Sequence, residues 1–303
     1  MTAIRGWSKR RKIGVGIVLA WIGGTIAIAV AFGSGKKNPN FLPQDEFQIV
    51  SWAHLFGPID FNKAVLYLVL AGAITVAVMV LVARRMQLRP NRVQAAVELG
   101  YSICKQQIAG DNMDEDMARK WFPLIATLFF FILVSNLLGY IPLPVNTGED
   151  VHILGATLPS FQLYAATTNI SFPLVLALVV YIAFNAEGVR ARGPLGYVKS
   201  LIPAGVGGAM LVLIFPIEIL SNILRLLSLT IRLWANLLAG HMLIGFMSGW
   251  LAVILGVKFL AWALLPFGVI IYMFEAVLIA GLQAFIFAIL AAIYLGSAVS
   301  EQH

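Results

Sequence analysis

The chain has 303 residues, of which 60% are hydrophobic and only 12% are charged, and its mean hydropathy is +0.89. Soluble domains average about 45–50% apolar and about 25% charged residues, so this composition excludes a soluble fold as well as the disordered, collagen-like and disulfide-rich classes. The net charge of +7 is explained by the orientation of membrane loops, and no nucleic acid is expected as a partner. The composition predicts a polytopic membrane protein.

Residues 1–60 are predicted to form an N-terminal extension that precedes a core at 61–303. Residues 13–33 carry no charge and follow five basic residues, which favours a retained membrane helix. A cleaved secretory signal is the alternative, although its apolar region is usually only about 7–15 residues long. Residues 34–60 are rich in Asn, Pro and Gly and predict an external loop, with an interfacial segment at Phe47–Phe56.

Three further apolar stretches have the length of a membrane-spanning helix, at 64–83, 121–141 and 170–186. Between the first two, Arg92–Ile108 predicts an amphipathic helix at the inner surface. Its apolar positions are Val93, Val97, Tyr101 and Cys104. The loop 142–169 contains neither Lys nor Arg, which indicates that it is external.

The basic residues are unevenly distributed among the loops. Five precede the first span, seven lie in 84–120 and three in 187–199, against three in the two external loops between these regions. The positive-inside rule therefore predicts that both termini are cytoplasmic. The one cysteine, Cys104, excludes a disulfide within the chain, and we expect its labelling in sealed vesicles to report the orientation.

The last third contains two apolar segments that are too long to cross a membrane upright. Residues 205–246 and 257–298 each comprise 42 positions, which correspond to about 63 Å of α-helix against a hydrocarbon core of about 30 Å. Each must therefore bend or tilt. The predicted fold class is an all-α integral membrane bundle, in which two long, tilted helices form a membrane-intrinsic hairpin at about 205–298.

Four ionisable residues lie in these two segments, at Glu218, Arg225, Arg232 and Glu275. Each costs about 2.5–3.5 kcal/mol at the centre of a membrane helix on insertion scales, so such residues favour a functional explanation. At about 100° per residue, the polar positions of the first segment share one sector of about 120°. This polar stripe comprises Glu218, Asn222, Arg225, Ser228, Arg232 and Asn236, whereas His241 lies outside it.

The residues alone leave two interpretations of the polar stripe open. Hydrogen bonds and ion pairs between helices explain four of these residues as well as an ion pathway does, namely Glu218, Asn222, Arg225 and Ser228. Arg232 differs, because a guanidinium stays charged in proteins and no acid stands one helical turn away. Its counter-charge must come from Glu275 or from an acid on a separate subunit.

The second long segment has a polar edge formed by Tyr272, Glu275 and Gln283. Such groups can carry a proton or hold water, with His241 as the titratable partner from the first segment. No second His lies at ligand spacing, so no metal is predicted. The Gly35-Lys36 pair lacks the Ser or Thr and the first Gly of a phosphate-binding loop, so no nucleotide cofactor is predicted either.

The segment from Ser228 to His241, SLTIRLWANLLAGH, closely resembles the signature of subunit a of the rotary F-type ATP synthase. In that family an S-x-x-x-R-L-x-x-N-x-x-A-G segment carries an essential arginine. The resemblance runs from about residue 47 to the C-terminus. Further matches are Pro216-Ile217-Glu218, Leu282–Phe287, Tyr294-Leu295, Asn136 and Pro142.

This resemblance implies a function and a role for each matching residue. Arg232 is implied to be the essential arginine of a proton-translocating stator subunit of the membrane Fo sector, which is not catalytic alone. The implied outer half-channel is lined by Asn236, His241, Glu275 and Gln283, and the inner one lies near Ser228 and Glu218. The implied partners are the c-subunit ring, the b-subunit peripheral stalk, the other ATP synthase subunits and the lipid bilayer of the bacterial inner (plasma) membrane. The ion is H⁺ or Na⁺, and titratable channel residues favour H⁺.

Three features depart from the family pattern. The span 13–33 is additional, His241 and Glu275 stand exchanged relative to many bacterial members, and the interval from Glu275 to Gln283 is one residue longer. A self-contained secondary ion transporter is the alternative from another class, but it usually needs inverted repeats, which the sequence lacks. A purely structural assembly subunit is disfavoured by the charges at membrane depth.

Overall fold

The computed structural model describes residues 9–32, 47, 51–56, 59–153, 156–200 and 209–299. The α-helices are α1 (Lys9–Phe32), α2 (Lys63–Arg84), α3 (Arg92–Ile103), α4 (Glu115–Gly139), α5 (Ser171–Ser200), α6 (Ala209–Gly245), α7 (Leu251–Leu255), α8 (Lys258–Phe274) and α9 (Ala280–Val299). Wider π turns occupy Cys104–Gly110, Phe246–Trp250 and Glu275–Ile279, and a 3₁₀ turn occupies Ala166–Thr168. The strands are β1 (Ser51–Phe56), β2 (Ile59–Asn62), β3 (Leu143–Ile153) and β4 (Ala156–Gln162).

Among the described residues, five helical segments are long and apolar enough to cross a membrane. They are Lys63–Arg84, Glu115–Gly139, Ser171–Ser200, Val212–Leu255 and Phe259–Val299. The three predicted spans of ordinary length and the two over-long segments are thereby confirmed, and the fold is the expected all-α membrane bundle. The helix α1 is present as well, but its apolar part, Gly14–Ala27, is shorter.

The long segments differ in how they accommodate their length. The helix α6 runs without interruption through Gly240 to Gly245. The second segment is divided by the π turn Glu275–Ile279 into α8 and α9. Between the two segments, Gly249 leaves helical geometry (φ 171°, ψ −24°). The first residues of the predicted segment, 205–208, lie outside the described residues.

The chain forms two compact units, of which the larger comprises Ile49–Leu238 and Ala276–His303. In this unit α9 packs against α4 and α5. The buried face of α9 consists mainly of small residues: Ala280, Ala284, Ala288, Ala291 and Ala292. Small side chains let helices approach closely in a membrane, where apolar burial against lipid supplies no driving force. A second cluster, centred on Tyr67, Leu138 and Tyr164, packs α2 against α4.

The smaller unit comprises Met1–Gln48 and Ala239–Glu275. Here α8 packs against the π turn Phe246–Trp250 and against α1. A Cβ on Gly268 would stand only 3.3 Å from the backbone oxygen of Met247, so the absence of a side chain permits this close approach.

Both predicted external loops contain β-hairpins that the sequence analysis did not assign. The strands β1 and β2 pair antiparallel, with Ser51 opposite Asn62, and β3 pairs with β4, with Leu143 opposite Gln162. Pairing satisfies backbone hydrogen bonds that an irregular loop would leave to water. The predicted interfacial segment at Phe47–Phe56 falls partly outside the described residues, and its described part from Ser51 onwards is strand β1.

The predicted amphipathic helix at Arg92–Ile108 is helical, but its buried face is different from the expected one. Val93 and Tyr101 are exposed, whereas Gln94 and Gly100 are buried. Gly100 packs so closely against the ring of Phe130 that a Cβ at this position would collide with it. The helix face is therefore set by close contact with α4 and not by hydrophobicity.

The thiol of Cys104 is buried, as expected for one of the predicted apolar positions, although polar residues follow it in the sequence. Burial raises the pKa of this thiol to about 12. Because only the thiolate is nucleophilic, Cys104 should be unreactive. The expectation that it reports orientation is therefore wrong, and a different position is needed.

We expect Leu88→Cys to report the orientation, because Leu88 is fully exposed between α2 and α3. A membrane-impermeant maleimide should label it in inverted vesicles but not in sealed right-side-out vesicles. Ile170→Cys, also exposed, is the matched control and should show the opposite pattern. Labelling of Leu88→Cys from the outside would contradict the predicted topology, and native Cys104 should stay unlabelled in both preparations.

Candidate functional site

The polar stripe of α6 contains both buried and exposed side chains. Asn222 is buried and Glu218 is half-buried, whereas the others are exposed. The exposed members are Arg225, Ser228, Arg232 and Asn236. The stripe therefore does not face one environment, and its first part is packed against protein while its second part lies on the surface of the chain.

Arg232 is exposed and forms no hydrogen bond or ion pair with the residues that the structure describes. The next residue, Leu233, is almost completely buried, so the helix is anchored on one side and presents the guanidinium on the other. Arg225, two turns earlier, instead places its guanidinium carbon 5.6 Å from the ring centre of Tyr294. The two arginines of the stripe therefore have different surroundings.

A row of exposed aliphatic side chains runs along α6 beside the exposed polar residues. These side chains are Leu220, Leu224, Leu227 and Ile231, with exposed fractions of 54%, 49%, 41% and 49%. Their spacing of four, three and four residues places them on one helix face. Arg232 thus lies at the edge of an apolar surface that suits lipid or another membrane-embedded helix.

Glu275 lies against the backbone of Gly240 in the smaller unit. A Cβ on Gly240 would collide with the Glu275 carboxylate, with the carboxyl carbon only 2.6 Å away. Glu275 and His241, the residue after Gly240, are both buried. The glycine therefore leaves room for the Glu275 carboxylate beside α6. Two buried titratable side chains, Glu275 and His241, thus lie at neighbouring positions of the fold, which is typical of a functional site.

Glu275 is the first residue of the π turn Glu275–Ile279. A π turn holds one residue more than an α turn, and such insertions are frequent at functional sites. A turn of this kind would accommodate the additional residue that the sequence predicts between Glu275 and Gln283. Gln283 is buried in α9, within the larger unit, and Tyr272 is half-buried.

The structure adds polar contacts that sequence reasoning missed. Asn136, which is fully buried, donates from its Nδ2 to the backbone oxygen of Ala280 at 3.3 Å. Asn222 donates to Asn185 of α5. The ion pair between the Lys120 ammonium and the buried Glu187 carboxylate, at 2.5 Å, joins α4 to α5. The signal for Asn185 and Glu187 was their polarity at the end of an apolar span, but nothing local identified their partners.

No group of three or more His, Cys, Asp or Glu residues in the described part of the chain could hold a metal ion. The polar residues of this site are instead amides, hydroxyls, one imidazole, carboxyls and guanidinium groups. These groups can bind water, exchange protons and stabilise a nearby charge.

Comparisons with known proteins identify the family. The family model described as ATP synthase A chain matches residues 65–296. The chain belongs to the ATP synthase subunit a family. It is 32% identical to ATP synthase subunit a of Hyphomonas neptunium over 267 residues, which cover 85% of this chain and 95% of that protein. It is 34% identical to the subunit a of Rubrobacter xylanophilus over 239 residues, which cover 78% and 83% of the two chains.

In this subunit a family member, Gly240→Ala should displace the Glu275 carboxylate, because the new methyl group would occupy its position. We expect a destabilisation of about 1–3 kcal/mol from overpacking and a severalfold loss of ATP-driven proton pumping in inverted vesicles. Gly281→Ala is the matched control, because a Cβ there meets nothing within 4 Å. Equal pumping by the two variants would contradict the role assigned to Gly240.

Deletion of Val277 from the π turn should retain much of the proton pumping. The shortened turn can form ordinary α-helical hydrogen bonds while α9 keeps its face, because the π turn holds the extra residue. Val277 is also 75% exposed, so few contacts are lost. Deletion of the exposed Ile270 from α8 is the control, and it should abolish pumping because no inserted residue compensates for the rotation of about 100°. If both deletions abolish pumping, the π turn is not a tolerated insertion.

Proposed function

We propose that this chain is the proton-translocating stator subunit of the membrane sector of an ATP synthase, and that Arg232 couples proton flow to rotation. Membership of the subunit a family supports the role of the chain. The observation that supports the role of Arg232 is its exposure without a partner beside a row of exposed aliphatic side chains.

The proposed partner of this surface is a ring of c subunits that carries carboxyl groups at membrane depth. A lone guanidinium in lipid is costly, so an acid on a neighbouring subunit would satisfy Arg232. The exposed aliphatic residues beside Arg232 on α6 would contact the apolar helices of the ring. Other ATP synthase subunits are expected partners from the family, and we propose the b-subunit peripheral stalk among them.

The proposed mechanism follows from the electrostatics of a carboxyl group in lipid. A ring carboxyl must be neutral to rotate through the bilayer, and it becomes neutral by taking a proton from the outer half-channel. Near Arg232 its charged form is favoured, because an opposite charge a few ångströms away lowers the pKa of a carboxyl. It therefore releases its proton to the inner half-channel. The fixed positive charge between the half-channels also opposes direct leakage of protons.

The proposed half-channels are assigned residue by residue from the family signature. Asn236, His241, Glu275 and Gln283 belong to the outer one, and Ser228 and Glu218 to the inner one. The burial of His241 and Glu275 is compatible with a narrow aqueous path. Each proton that crosses 100 mV supplies about 2.3 kcal/mol, so several protons are needed for one ATP, which other subunits of the complex would make.

The proposed location is the inner (plasma) membrane of a bacterium, with both termini in the cytoplasm. The chain is a multi-pass membrane protein, as its five long apolar helices indicate. A self-contained secondary transporter is not favoured, because the chain is a family member of a multisubunit complex. For the same reason the chain is not an enzyme by itself.

Arg232→Lys should abolish ATP-driven proton pumping, because a lysine ammonium is a point charge whose pKa falls on burial, unlike the permanently charged fork of arginine. Arg232→Ala should abolish pumping too, while passive proton permeability of membranes stripped of the soluble head persists or rises. The permeability is expected to persist because the barrier between the half-channels is removed. Both quantities are measured in inverted vesicles.

Arg225→Gln is the control for the Arg232 variants, because Arg225 lies on the same stripe but rests against Tyr294. We expect this variant to reduce pumping without abolishing it. An Arg232→Ala enzyme that still pumps protons would contradict the proposed coupling mechanism.

A further inference from the structure

A polar cluster joins α5 to α6 inside the larger unit, at Asn185, Tyr197 and Asn222. The Tyr197 hydroxyl donates to the Oδ1 atom of Asn185 at 2.7 Å. The Nδ2 atom of Asn222 donates to the same oxygen at 3.3 Å. Asn185 also donates from its own Nδ2 to the backbone oxygen of Tyr181 at 2.7 Å, which fixes the orientation of its amide. These three side chains are hereafter called the amide cluster.

Two glycines of α5 build this cluster. Gly193 has φ 73° and ψ 163°, so the helix changes direction at Gly193-Pro194. Tyr197 thereby turns back onto α5, where a Cβ on Gly188 would collide with its ring. The positive φ at Gly193 and the missing side chain at Gly188 together place the tyrosine hydroxyl beside Asn185.

The amide cluster contains a buried acceptor that lacks a donor in the described structure. The Oδ1 atom of Asn222 is inaccessible to solvent and has no hydrogen-bond partner among the described residues. The residue as a whole is only 9% exposed. Leaving such an atom unpaired costs about 1–3 kcal/mol. Buried polar atoms of this kind are commonly satisfied by an ordered water.

Charged residues surround the cluster and connect it to the polar stripe. Arg225 and Arg192 both lie close enough to the Tyr197 hydroxyl to interact with it electrostatically. Glu218 precedes Asn222 by four residues and Arg225 follows it by three, so both are neighbours of Asn222 on the surface of α6. The amide cluster thus lies within the part of the stripe that includes Glu218 and Ser228.

We propose that Asn222 and Tyr197, which Asn185 holds together, bind an ordered water molecule, and that this water is one step of the inner proton path. The inference rests on the proposed function, since it assigns new residues to the inner half-channel. The water would donate one hydrogen to the Oδ1 atom of Asn222 and a second to a lone pair of the Tyr197 hydroxyl, whose own hydrogen is directed to Asn185.

Proton transfer through this water leaves every side chain of the cluster in its original state. A proton that reaches the water binds to its free lone pair. The hydrogen that the water donated to the Tyr197 hydroxyl then breaks that hydrogen bond and leaves to the next water, and the newly bound hydrogen turns to take its place. The amides and the phenol stay neutral throughout. The cluster therefore provides a position for water and not a titrating group.

The first test measures passive proton permeability of membranes that contain the membrane sector without its soluble head. Asn222→Leu keeps the branched shape of the side chain but removes both polar atoms, and it should lower the permeability severalfold. Asn222→Ser, which leaves room for water and supplies a hydroxyl, should restore permeability relative to the leucine variant. Ser221→Ala, at the exposed neighbouring position, is the matched control and should conduct normally. Unchanged permeability in Asn222→Leu would overturn the proposal.

The second test measures access of aqueous silver ions in a Cys104→Ser background. Asn222→Cys should react from the cytoplasmic side and lose proton permeability, because its thiol would lie in the water path. Leu229→Cys, at an apolar position that is 2% exposed on the same helix, should not react. An unreactive Asn222→Cys would overturn the proposal, and this result decides alone if Asn222→Leu does not assemble.

These tests separate the water-mediated step from the function on which it rests. If Arg232→Ala still pumps protons, the proposed coupling mechanism fails. If Arg232 is essential but Asn222→Leu conducts normally, only the amide cluster assignment fails.

Discussion

A permanent positive charge at membrane depth is the constraint on which the site depends. Arg232 cannot shed its proton, and no residue in the described part of the chain pairs with it. The positive charge of Arg232 therefore lacks a counter-charge within the described part of the chain, and an acidic group on a moving neighbour can supply one. The exposed aliphatic row from Leu220 to Ile231 supplies the apolar surface beside which such an acid could pass without meeting bulk water.

Packing within the rest of the bundle fixes the orientation of α6, and with it the position of Arg232. Leu229, Leu233 and Leu237 are almost completely buried at intervals of four residues, and the indole nitrogen of Trp234 donates to the backbone oxygen of Thr168 at 2.9 Å. These contacts orient the leucine face of the helix inward, and Arg232 lies at the border of that face, where its side chain is exposed. Rigid placement matters because the effect of a charge on the pKa of a carboxyl falls with distance.

Polar groups along α6 are accommodated by departures from regular helical packing. Gly240 provides space for the Glu275 carboxylate, and a π turn begins at Glu275 itself. The positive φ of Gly193 returns Tyr197 to α5, where it meets Asn185. In each case a local irregularity of the backbone or a missing Cβ brings polar atoms together inside an otherwise apolar bundle.

The sequence by itself determined the helical spans and the polar stripe, because in lipid the backbone must satisfy its own hydrogen bonds and each apolar run of sufficient length becomes a helix. The signature around Arg232 determined the family. Tertiary structure decided the burial of Cys104 and the pairing of Asn222 with Asn185. These features depend on contacts between segments that are distant in sequence, and neither periodicity nor hydropathy within one segment encodes which partner a side chain will meet.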